Sequence, residues 1–325
     1  MKAYFIQAQG HKTDLELREV PQPKPAAGQL LVRIRAASLN RGEFIGGHGL
    51  TAAGSAKAAG QEAAGEVVGG GEAALARYPA GSRVMGRCPG GFAEHGLIDA
   101  SDAIAIPEGL SFDQAAAIPL TFLVVYDMLV EQGKLKAGQW LLVAGIASGV
   151  GVAALQTAKA LGARVIGTSG SAKKLEVLKK LGLDLALATR KPDFHAQVMD
   201  ATGGKGVSLV VNSAGGSLFP ELVRCLAFEG RLAVVGYVDG VLKAEIDLDR
   251  VHAQRLHVFG VSNKNRTGAM RAATVAGFTR DILPLFAGGK VKPLLDKVFP
   301  FDQLAAAKAY MESDAHAGKI IIAMS

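Results

Sequence analysis

The residues best suited to bind a phosphate group lie in a glycine-rich turn, GIASGVG (145–151). A short apolar run (140–143) precedes the turn and is typical of a buried strand, and helical spacing of apolar residues follows it up to Leu161. The first turn of a helix offers unpaired N–H groups and the positive end of its dipole to an anion. The pattern therefore predicts a βαβ unit that binds a dinucleotide, although its glycines depart from the strict G-x-G-x-x-G spacing. A tight turn without a ligand is the alternative interpretation.

The segment after the second predicted strand indicates which dinucleotide binds. NAD sites carry an Asp or Glu about 20 residues beyond the glycines, where it accepts hydrogen bonds from the ribose. This chain has Ser169 there, and the run TSGSAKK (168–174) contains no acid. Hydroxyl and ammonium groups suit a 2′-phosphate, which predicts NADPH, although Lys173 and Lys174 also fit a solvated helix start. The candidate cofactor-binding residues are Gly145, Ala147, Ser148, Gly149, Val150, Gly151, Ser169, Gly170, Ser171, Lys174, Arg190, Asn212 and Asn263.

The composition indicates a folded α/β protein with two domains. The chain has 325 residues, of which 49% are hydrophobic and 20% charged. Its apolar runs are too short for a membrane span and no secretion signal is recognised, so we expect a cytoplasmic protein. Cys88 and Cys225 lack metal-ligand or C-x-x-C spacing and fit buried thiols in a reducing compartment.

The net charge of +7 does not by itself indicate a nucleic-acid partner. A nucleic-acid-binding surface combines clustered basic residues with aromatic residues. The densest basic stretch (250–271) holds only Phe259 among Phe, Tyr and Trp. We therefore expect a generally basic surface that attracts anionic ligands, and no dedicated nucleic-acid-binding surface.

Strands dominate the first 110 residues, and strands alternate with helices beyond residue 140. Ser111 and Gln114 predict a capping box, and Pro119 interrupts the helix that it starts. Strands at about 140–144, 163–168, 184–188, 207–212, 230–236 and 255–261, with helices between them, predict a doubly wound parallel sheet. We predict a long helix at about 268–287, a helix at 302–313 and a last strand at 319–323 that returns to the N-terminal domain.

Four motifs carry a resemblance to a known family: GQEAAG (60–65), the turn at 145–151, AKALGA (158–163) and GKIII (318–322). With the order of elements, they resemble the medium-chain dehydrogenase/reductase superfamily over essentially the whole chain. Within it, the chain is similar to the zinc-free quinone oxidoreductases, which include zeta-crystallin. The resemblance implies a β-rich GroES-like domain (1–120 and 263–325) and an NADPH-binding, doubly wound Rossmann domain (121–262). It also implies a homodimer that pairs through the edge strand at 255–261.

The resemblance also locates the positions that hold zinc in the zinc alcohol dehydrogenases. They fall on Asn40, Gln61 and about Leu120, and this combination is poor in zinc ligands. Glu62 remains but cannot hold a metal alone, and His48 and His95 are interpreted as loop or surface residues. We therefore expect no catalytic metal.

Without zinc, the cofactor's hydride must go to an electron-poor acceptor, such as a quinone or an α,β-unsaturated carbonyl. The charge that develops on the acceptor oxygen needs hydrogen-bond donors. In the family an Asn after the third strand reaches the active site, and Asn40 matches it, so its amide is the first candidate. Arg41 and Gln61 are further catalytic candidates, and Asn263 or Lys264 are weaker donors. The alternative for Asn40 is a turn residue that bonds its own backbone.

Two departures from the family affect the expected substrate pocket. Tyrosines that often line it are absent from 40–54, where Phe44 and Ile45 stand, and a common Thr is replaced within FLVVY (122–126). The sequence thus predicts an NADPH-dependent, metal-free reductase of quinones or enones with an apolar pocket. The alternatives are an enoyl-thioester reductase, which the missing Tyr disfavours, and a non-catalytic NADPH- or RNA-binding crystallin-like protein.

Overall fold

The computed structural model describes residues 1–9, 12–44 and 56–324. The chain forms two compact units: a split unit, made of 1–123 with 266–325, and an inserted unit, made of 124–265. These divisions lie three residues beyond the boundaries at 120 and 262 that the sequence suggested. Every helix among the described residues is too short or too polar to cross a bilayer.

The strands are numbered along the chain. They are β1 (Lys2–Gln9), β2 (Lys12–Glu19), β3 (Gln29–Ser38), β4 (Lys57–Ala58), β5 (Glu62–Gly70), β6 (Arg83–Arg87), β7 (His95–Asp99), β8 (Ile104–Ala105), β9 (Trp140–Ala144), β10 (Arg164–Thr168), β11 (Leu185–Leu187), β12 (Val207–Asn212), β13 (Leu226–Val234), β14 (His257–Gly260), β15 (Leu295–Pro300) and β16 (Lys319–Ala323).

The α-helices are numbered in the same way. They are α1 (Glu72–Arg77), α2 (Phe112–Ala116), α3 (Pro119–Tyr126), α4 (Gly149–Ala160), α5 (Ala172–Lys179), α6 (His195–Ala201), α7 (Phe219–Arg224), α8 (Leu248–Gln254), α9 (Gly268–Asp281), α10 (Leu283–Ala287) and α11 (Leu304–Glu312). Short 3₁₀-helices lie at Arg41–Phe44 and Phe301–Gln303, and a π-helical turn lies at Asp127–Glu131.

The split unit is built on a sheet with the order β15-β16-β3-β5-β6-β8, in which β7 also pairs with β3. The last strand, β16, runs parallel to β15 and antiparallel to β3, where Ile322 lies opposite Ala37. This pairing confirms the predicted return of the C-terminal strand. Ile320 and Ile322 are buried in the core with Val32 and Ile34 of β3, and each fully buried aliphatic side chain stabilises the unit by about 1.5–3 kcal/mol.

The inserted unit is a parallel sheet with the order β11-β10-β9-β12-β13-β14 and helices in its crossovers. The order reverses direction between β9 and β12, which is the switch point where such sheets bind ligands beyond their carboxyl ends. Leu141, Leu142 and Val143 of the central strand β9 are fully buried, as a strand covered on both faces requires. The β-rich unit and the doubly wound unit predicted from the sequence are both confirmed.

Several local predictions are also confirmed. Ser111 accepts a hydrogen bond from the Gln114 backbone, and the Gln114 side chain accepts one from Ser111, which completes the predicted capping box. Gly162 follows α4 with φ of +80°, the left-handed conformation that ends many helices. Cys88 and Cys225 are free and buried, and burial raises the pKa of each thiol to about 12.

Other local predictions are wrong. The long helix expected at 268–287 divides into α9 and α10 because Pro284, in the first turn of α10, lacks the N–H that would continue the helix. Strand β13 begins at Leu226, before the expected residue 230, and contains an irregularity at Glu229 with φ of +57°. The short helices α1 and α8 were not predicted.

Candidate functional site

The glycine turn of the inserted unit leads from β9 into α4, as the sequence predicted. Ser148 is the N-cap of α4: its hydroxyl accepts a hydrogen bond from the Gly151 N–H at 3.1 Å and donates one to the Gly145 carbonyl at 2.9 Å. Gly149 and Val150 occupy the first two helical positions, so their N–H groups have no acceptor within the helix. The turn is half-buried and presents these donors as a phosphate site does.

Gly145 is a position in this turn that requires glycine. Its φ is +78°, and a Cβ there would lie 2.6 Å from the Ser213 hydroxyl oxygen. Any side chain would be strained by the backbone conformation and would press on the loop after β12. Because the turn has no side chain at this position, a pyrophosphate can approach its backbone closely.

A second group of predicted residues lies together beyond the carboxyl end of β10. Arg190 packs so closely on Gly170 that a Cβ on Gly170 would lie 2.2 Å from the Arg190 Nε. The Ser169 hydroxyl accepts from the Ser171 N–H at 3.2 Å, and Ser171 caps α5 by accepting from the Lys174 N–H. The Arg190 side chain thus packs on the loop at 169–171, which carries two hydroxyl groups and no acid, and this donor set fits a 2′-phosphate.

Two further cofactor-binding candidates are placed differently. Asn212 is 1% exposed, and its side chain accepts from the N–H groups of Ala214 and Gly215 and donates to the Gly215 carbonyl at 3.0 Å. Its amide shapes the loop after β12, so any effect on a cofactor acts through that loop. Asn263 is exposed in the loop after β14.

The split unit contains a buried polar group, which we call the charge cluster: Ser38, Asn40, Glu43, Glu62 and Lys319. Glu62 is fully buried at the start of β5. Its Oε1 accepts from the Ser38 hydroxyl, from Asn40 Nδ2 at 2.9 Å and from Lys319 Nζ at 3.0 Å. Its Oε2 accepts from the Leu120 N–H at 2.7 Å. Four donors compensate a carboxylate that water does not reach.

The side chain of Asn40 is held by both charged ends of the charge cluster. Its Nδ2 donates to Glu43 at 2.8 Å as well as to Glu62, and its Oδ1 accepts from Lys319 at 2.8 Å. An amide has two N–H donors, and both are used by the carboxyl groups of Glu43 and Glu62. The expected hydrogen bond from Asn40 to an acceptor oxygen would require breaking one of these bonds, so the geometry favours a positioning role.

Glu43 lies in the 3₁₀-helix that follows Asn40 and is buried. Burial raises the pKa of this carboxyl to about 8, and the hydrogen bond from Asn40 opposes the rise. At neutral pH the charge cluster therefore contains a neutral Glu43 beside the ion pair of Glu62 and Lys319. A second buried carboxylate would leave the cluster with an uncompensated negative charge.

The other two catalytic candidates differ in their contacts. Arg41 donates to the Met311 carbonyl at 3.0 Å and forms an ion pair with Asp314. Its guanidinium therefore links the 3₁₀-helix at Arg41–Phe44 to the C-terminal end of α11. Gln61 is half-buried beside Glu62, and its side chain has no hydrogen-bond partner among the described residues. Ile45 and His48 lie outside the described residues. His95 begins β7.

The residues at the positions that hold zinc in the zinc alcohol dehydrogenases do not suit a zinc ion. The positions that matter are two amides, Asn40 and Gln61, and the aliphatic Leu120, whereas protein zinc sites use Cys, His and carboxylates. Both oxygens of Glu62 are already engaged by the charge cluster and by the Leu120 N–H. In the described part of the chain, no group of three or more His, Cys, Asp or Glu could hold a metal.

Lys319 is the functional candidate that sequence reasoning missed. It was noted only as part of the GKIII motif, yet it is 6% exposed at the start of an otherwise apolar strand. A lysine that opens an apolar strand needs a partner where that strand is buried, since an unpaired buried ammonium is costly. A charged residue at the start of an apolar strand was therefore the sequence feature that could have identified Lys319.

Two family models match the chain. The model described as the alcohol dehydrogenase GroES-like domain matches residues 26–108. The model described as zinc-binding dehydrogenase matches residues 149–276.

Curated relatives of two kinds are similar to the chain. A zinc-type alcohol dehydrogenase-like protein of Schizosaccharomyces pombe is 31% identical over 334 residues, which cover 94% of this chain and 93% of the relative. A component protein of the phenolphthiocerol/phthiocerol polyketide synthase of Mycobacterium tuberculosis is 30% identical over 321 residues. That match covers 98% of this chain but 14% of the synthase protein, so the chain spans about a seventh of that relative's length.

Solved structures of the same fold include three informative examples. A mycobacterial protein complexed with NADPH has a TM-score of 0.87 and 26% identity and covers 99% of this chain and all of its own. The CurK enoyl reductase has a TM-score of 0.84 and 26% identity, with 99% of each chain covered. A mycobacterial quinone oxidoreductase has a TM-score of 0.84 and 25% identity, also with 99% of each chain covered.

Proposed function

Because the chain belongs to the medium-chain dehydrogenase/reductase superfamily of oxidoreductases and is like its quinone oxidoreductases, we propose that it is an NADPH-dependent reductase. The proposed acceptor is a quinone or an enone, in which a carbonyl group withdraws electrons from the carbon that receives the hydride.

The observation that carries the cofactor preference is the packing of Arg190 on Gly170 beside Ser169 and Ser171. A 2′-phosphate is a dianion, and a guanidinium binds such a group with strong, charge-assisted hydrogen bonds. An NAD site would instead use a carboxylate at this place, and the loop has none. The solved neighbour that is complexed with NADPH supports the same preference.

The chain's own residues would hold the cofactor at two points. The N–H groups of Gly149 and Val150, with the dipole of α4, suit the pyrophosphate, and Arg190 suits the 2′-phosphate. When bound, NADPH supplies the hydride. A donor to the acceptor oxygen is still required. Of the three catalytic candidates we favour Gln61, because the side chains of Asn40 and Arg41 already bond other protein groups.

A titration with NADPH and NADH, followed by turnover with 1,4-naphthoquinone and a simple enone, tests the proposal. We expect tighter binding of NADPH and oxidation of NADPH that depends on the acceptor. Gln61→Ala should lower kcat with a smaller change in KM, because the lost donor acts mainly on charge that develops during reaction. Tighter NADH binding would contradict the cofactor assignment, and unchanged turnover in Gln61→Ala would remove its role.

A second candidate is the reduction of an enoyl thioester. It is favoured by the polyketide synthase relative and by the enoyl reductase structure. The missing tyrosines of 40–54 argue against it, since the resemblance links such a Tyr to protonation in that group. Crotonyl-N-acetylcysteamine separates the candidates: a kcat/KM well above that for quinones and enones would favour the thioester. NADPH binding without turnover of any acceptor, together with salt-sensitive RNA binding, would favour the non-catalytic alternative.

A further inference from the structure

We propose that Asp239 is a positioning residue for the nicotinamide half of the cofactor, because its carboxylate joins two loops at the carboxyl ends of β12 and β13. These are the β12 loop (213–217) and the β13 loop (235–241). The inference rests on the proposed binding of NADPH and does not depend on which acceptor the protein reduces.

The order of the strands assigns the two halves of the cofactor to opposite sides of the switch point between β9 and β12. A dinucleotide lies across such a point with one mononucleotide on each side. Arg190 follows β11 and packs on the loop at 169–171 that follows β10, so the adenosine half belongs on that side. The nicotinamide half therefore belongs beyond β12 and β13, where the β12 loop and the β13 loop lie.

The β12 loop begins beside the glycine turn. The Ser213 hydroxyl donates to the Ala144 carbonyl at the end of β9 at 2.6 Å, and a Cβ on Gly145 would lie 2.6 Å from the same hydroxyl oxygen. Asn212, the last residue of β12, donates to the Gly215 carbonyl and accepts from the Gly215 N–H, each at 3.0 Å. The β12 loop thus continues the surface of the turn that suits the pyrophosphate.

The carboxylate of Asp239 accepts hydrogen bonds from both loops. Its Oδ2 accepts from the Ser217 N–H at 2.9 Å and from the Ser217 hydroxyl, and its Oδ1 accepts from the Val241 N–H at 2.8 Å. The N–H of Asp239 also donates to the Ala214 carbonyl at 2.8 Å. Hydrogen bonds to a charged acceptor are stronger than those between neutral groups. Asp239 therefore holds the two loops at a fixed separation.

The β12 loop has room for this carboxylate because it carries glycine at the point of contact. Gly215 has φ of +129°, and a Cβ there would lie 1.9 Å from Asp239 Oδ1. The next residue, Gly216, donates its N–H to the Val241 carbonyl at 2.9 Å, so the loops also pair through their backbones. Asp239 itself is exposed to solvent. Its replacement should therefore change the loops without disturbing the core of the inserted unit.

Binding of NADPH and of adenosine 2′,5′-bisphosphate, which lacks the nicotinamide half, to the full chain tests the proposal. In Asp239→Ala the loops lose their link and must be ordered on binding, so the Kd for NADPH should rise about tenfold. The Kd for adenosine 2′,5′-bisphosphate should stay the same, because its phosphate site at Arg190 lies on the other side of the switch point. Asp239→Asn keeps one acceptor oxygen and should give an intermediate Kd for NADPH.

The matched control is Asp247→Ala. It removes another carboxylate of the inserted unit, which accepts from the Arg250 N–H and caps α8 without joining the two loops. This variant should change neither Kd. Gly215→Ala is a second test variant, because the added methyl group displaces Asp239, and it should raise the Kd for NADPH as Asp239→Ala does.

Turnover of 1,4-naphthoquinone at saturating NADPH gives a second readout. The kcat of Asp239→Ala should fall about 10–100-fold, because hydride transfer depends on the alignment of the nicotinamide with the acceptor. NADPH that carries deuterium at the transferred position should show a larger isotope effect on kcat in this variant than in the wild type. A loss of folded protein alone would lower kcat without changing this isotope effect.

Two results would overturn this inference alone. One is an equal rise of both Kd values in a folded Asp239→Ala protein, checked by circular dichroism. The other is an unchanged Kd for NADPH together with an unchanged kcat. A wild type that binds neither NADPH nor adenosine 2′,5′-bisphosphate would overturn the proposed function, and this inference with it. A wild type that binds both ligands but reduces no acceptor leaves the two Kd values to decide.

Discussion

At the scale of single residues, two buried glutamates of the charge cluster differ in the partners that compensate their charge. Glu62 and Glu43 both contact Asn40, but only Glu62 has the ammonium of Lys319 as a direct partner. The ion pair compensates one negative charge, and burial of Glu43 raises its pKa to about 8. Burial thus keeps Glu43 protonated near pH 7, whereas Glu62 forms an ion pair with Lys319.

The Glu43 proton should make stability depend on pH. Between its ordinary pKa of 4.5 and about 8, the unfolded chain loses this proton while the folded chain keeps it. The carboxyl's contribution to the free energy of unfolding is therefore full below pH 4.5 and falls as pH rises toward 8. Glu43→Gln removes this decline, because glutamine is neutral and its oxygen still accepts from Asn40. The melting temperature of the variant, relative to wild type, should rise between pH 5 and 8.

Thermal unfolding at a series of pH values measures this difference, with roughly 2–4 °C expected for each kcal/mol. Glu66→Gln is the control, because ion pairs with Arg33 and Arg35 lower the pKa of Glu66 and place its effect at acidic pH. A constant difference between Glu43→Gln and wild type from pH 5 to 8 would contradict the assigned protonation state.

Arg190 should determine the preference for NADPH over NADH. Arg190→Ala removes a charge-assisted hydrogen bond worth about 1.5–3 kcal/mol, so the Kd for NADPH should rise by about 10–150-fold. The Kd for NADH, which lacks the 2′-phosphate, should stay the same. Fluorescence titration measures both. Gly170→Ala, which displaces the Arg190 side chain, should act in the same direction, and the neighbouring Lys191→Ala should have little effect. Equal weakening of both cofactors would argue against specific phosphate recognition.

At the scale of elements, helix starts carry out two different tasks in the two units. Ser148 caps α4 where the turn presents N–H groups to a phosphate, and Ser111 caps α2 through a capping box. The local hydrogen bonds are of the same kind. The first cap also supports the turn through its bond to the Gly145 carbonyl.

Replacement of each cap by alanine should separate stability from cofactor binding. Ser148→Ala and Ser111→Ala should each lower the free energy of unfolding by about 1 kcal/mol. Only Ser148→Ala should also weaken NADPH binding, because it releases Gly145 and Gly151 in the turn. Denaturant unfolding and NADPH titration of both variants test this. Unchanged NADPH affinity in Ser148→Ala would mean that the turn keeps its shape without the cap.

The sequence predicts those elements best whose pattern is local. The bounds of β9, β12 and β16 agree with the expected 140–144, 207–212 and 319–323, since each is an apolar run between clear turns. The sequence analysis did not predict helix α8, of seven residues, because this helix is exposed and lacks an apolar stripe. The residue that could have indicated its start is Asp247, which caps the helix. The engagement of Asn40 could not be predicted, because its partner Lys319 lies 279 residues further along the chain.

At the scale of the whole molecule, the inserted unit presents features that suit self-association. Strand β14 is the last strand of the sheet order, so one of its edges has no partner strand among the described residues. Val258 on this strand is 45% exposed. Val238, Leu242 and Leu248, which lie between β13 and β14 in sequence, are 64–73% exposed. Unprotected edges and exposed apolar side chains are usually covered by a partner.

We therefore expect a homodimer that pairs through the predicted edge strand at 255–261. Light scattering of the wild type should give the mass of two chains. Val258→Arg should give the mass of one chain, because the symmetry of a dimer brings two like charges together at the interface. Lys57→Ala on β4, in the other unit, is a control that should leave the mass unchanged. A wild-type mass of one chain would contradict the expectation, and a dimeric Val258→Arg would place the interface elsewhere.

The position of β16 in the sheet has a consequence for the order in which the protein is made. Its neighbour β3 and the carboxylate of Glu62 are made before it, and Lys319 is added 257 residues after Glu62. At about 5–20 residues per second, this interval lasts roughly 10–50 s. The inserted unit is continuous in sequence and can fold within that time. The split unit has to wait for its last strand, so the ion pair of the charge cluster forms only after Lys319 has been made.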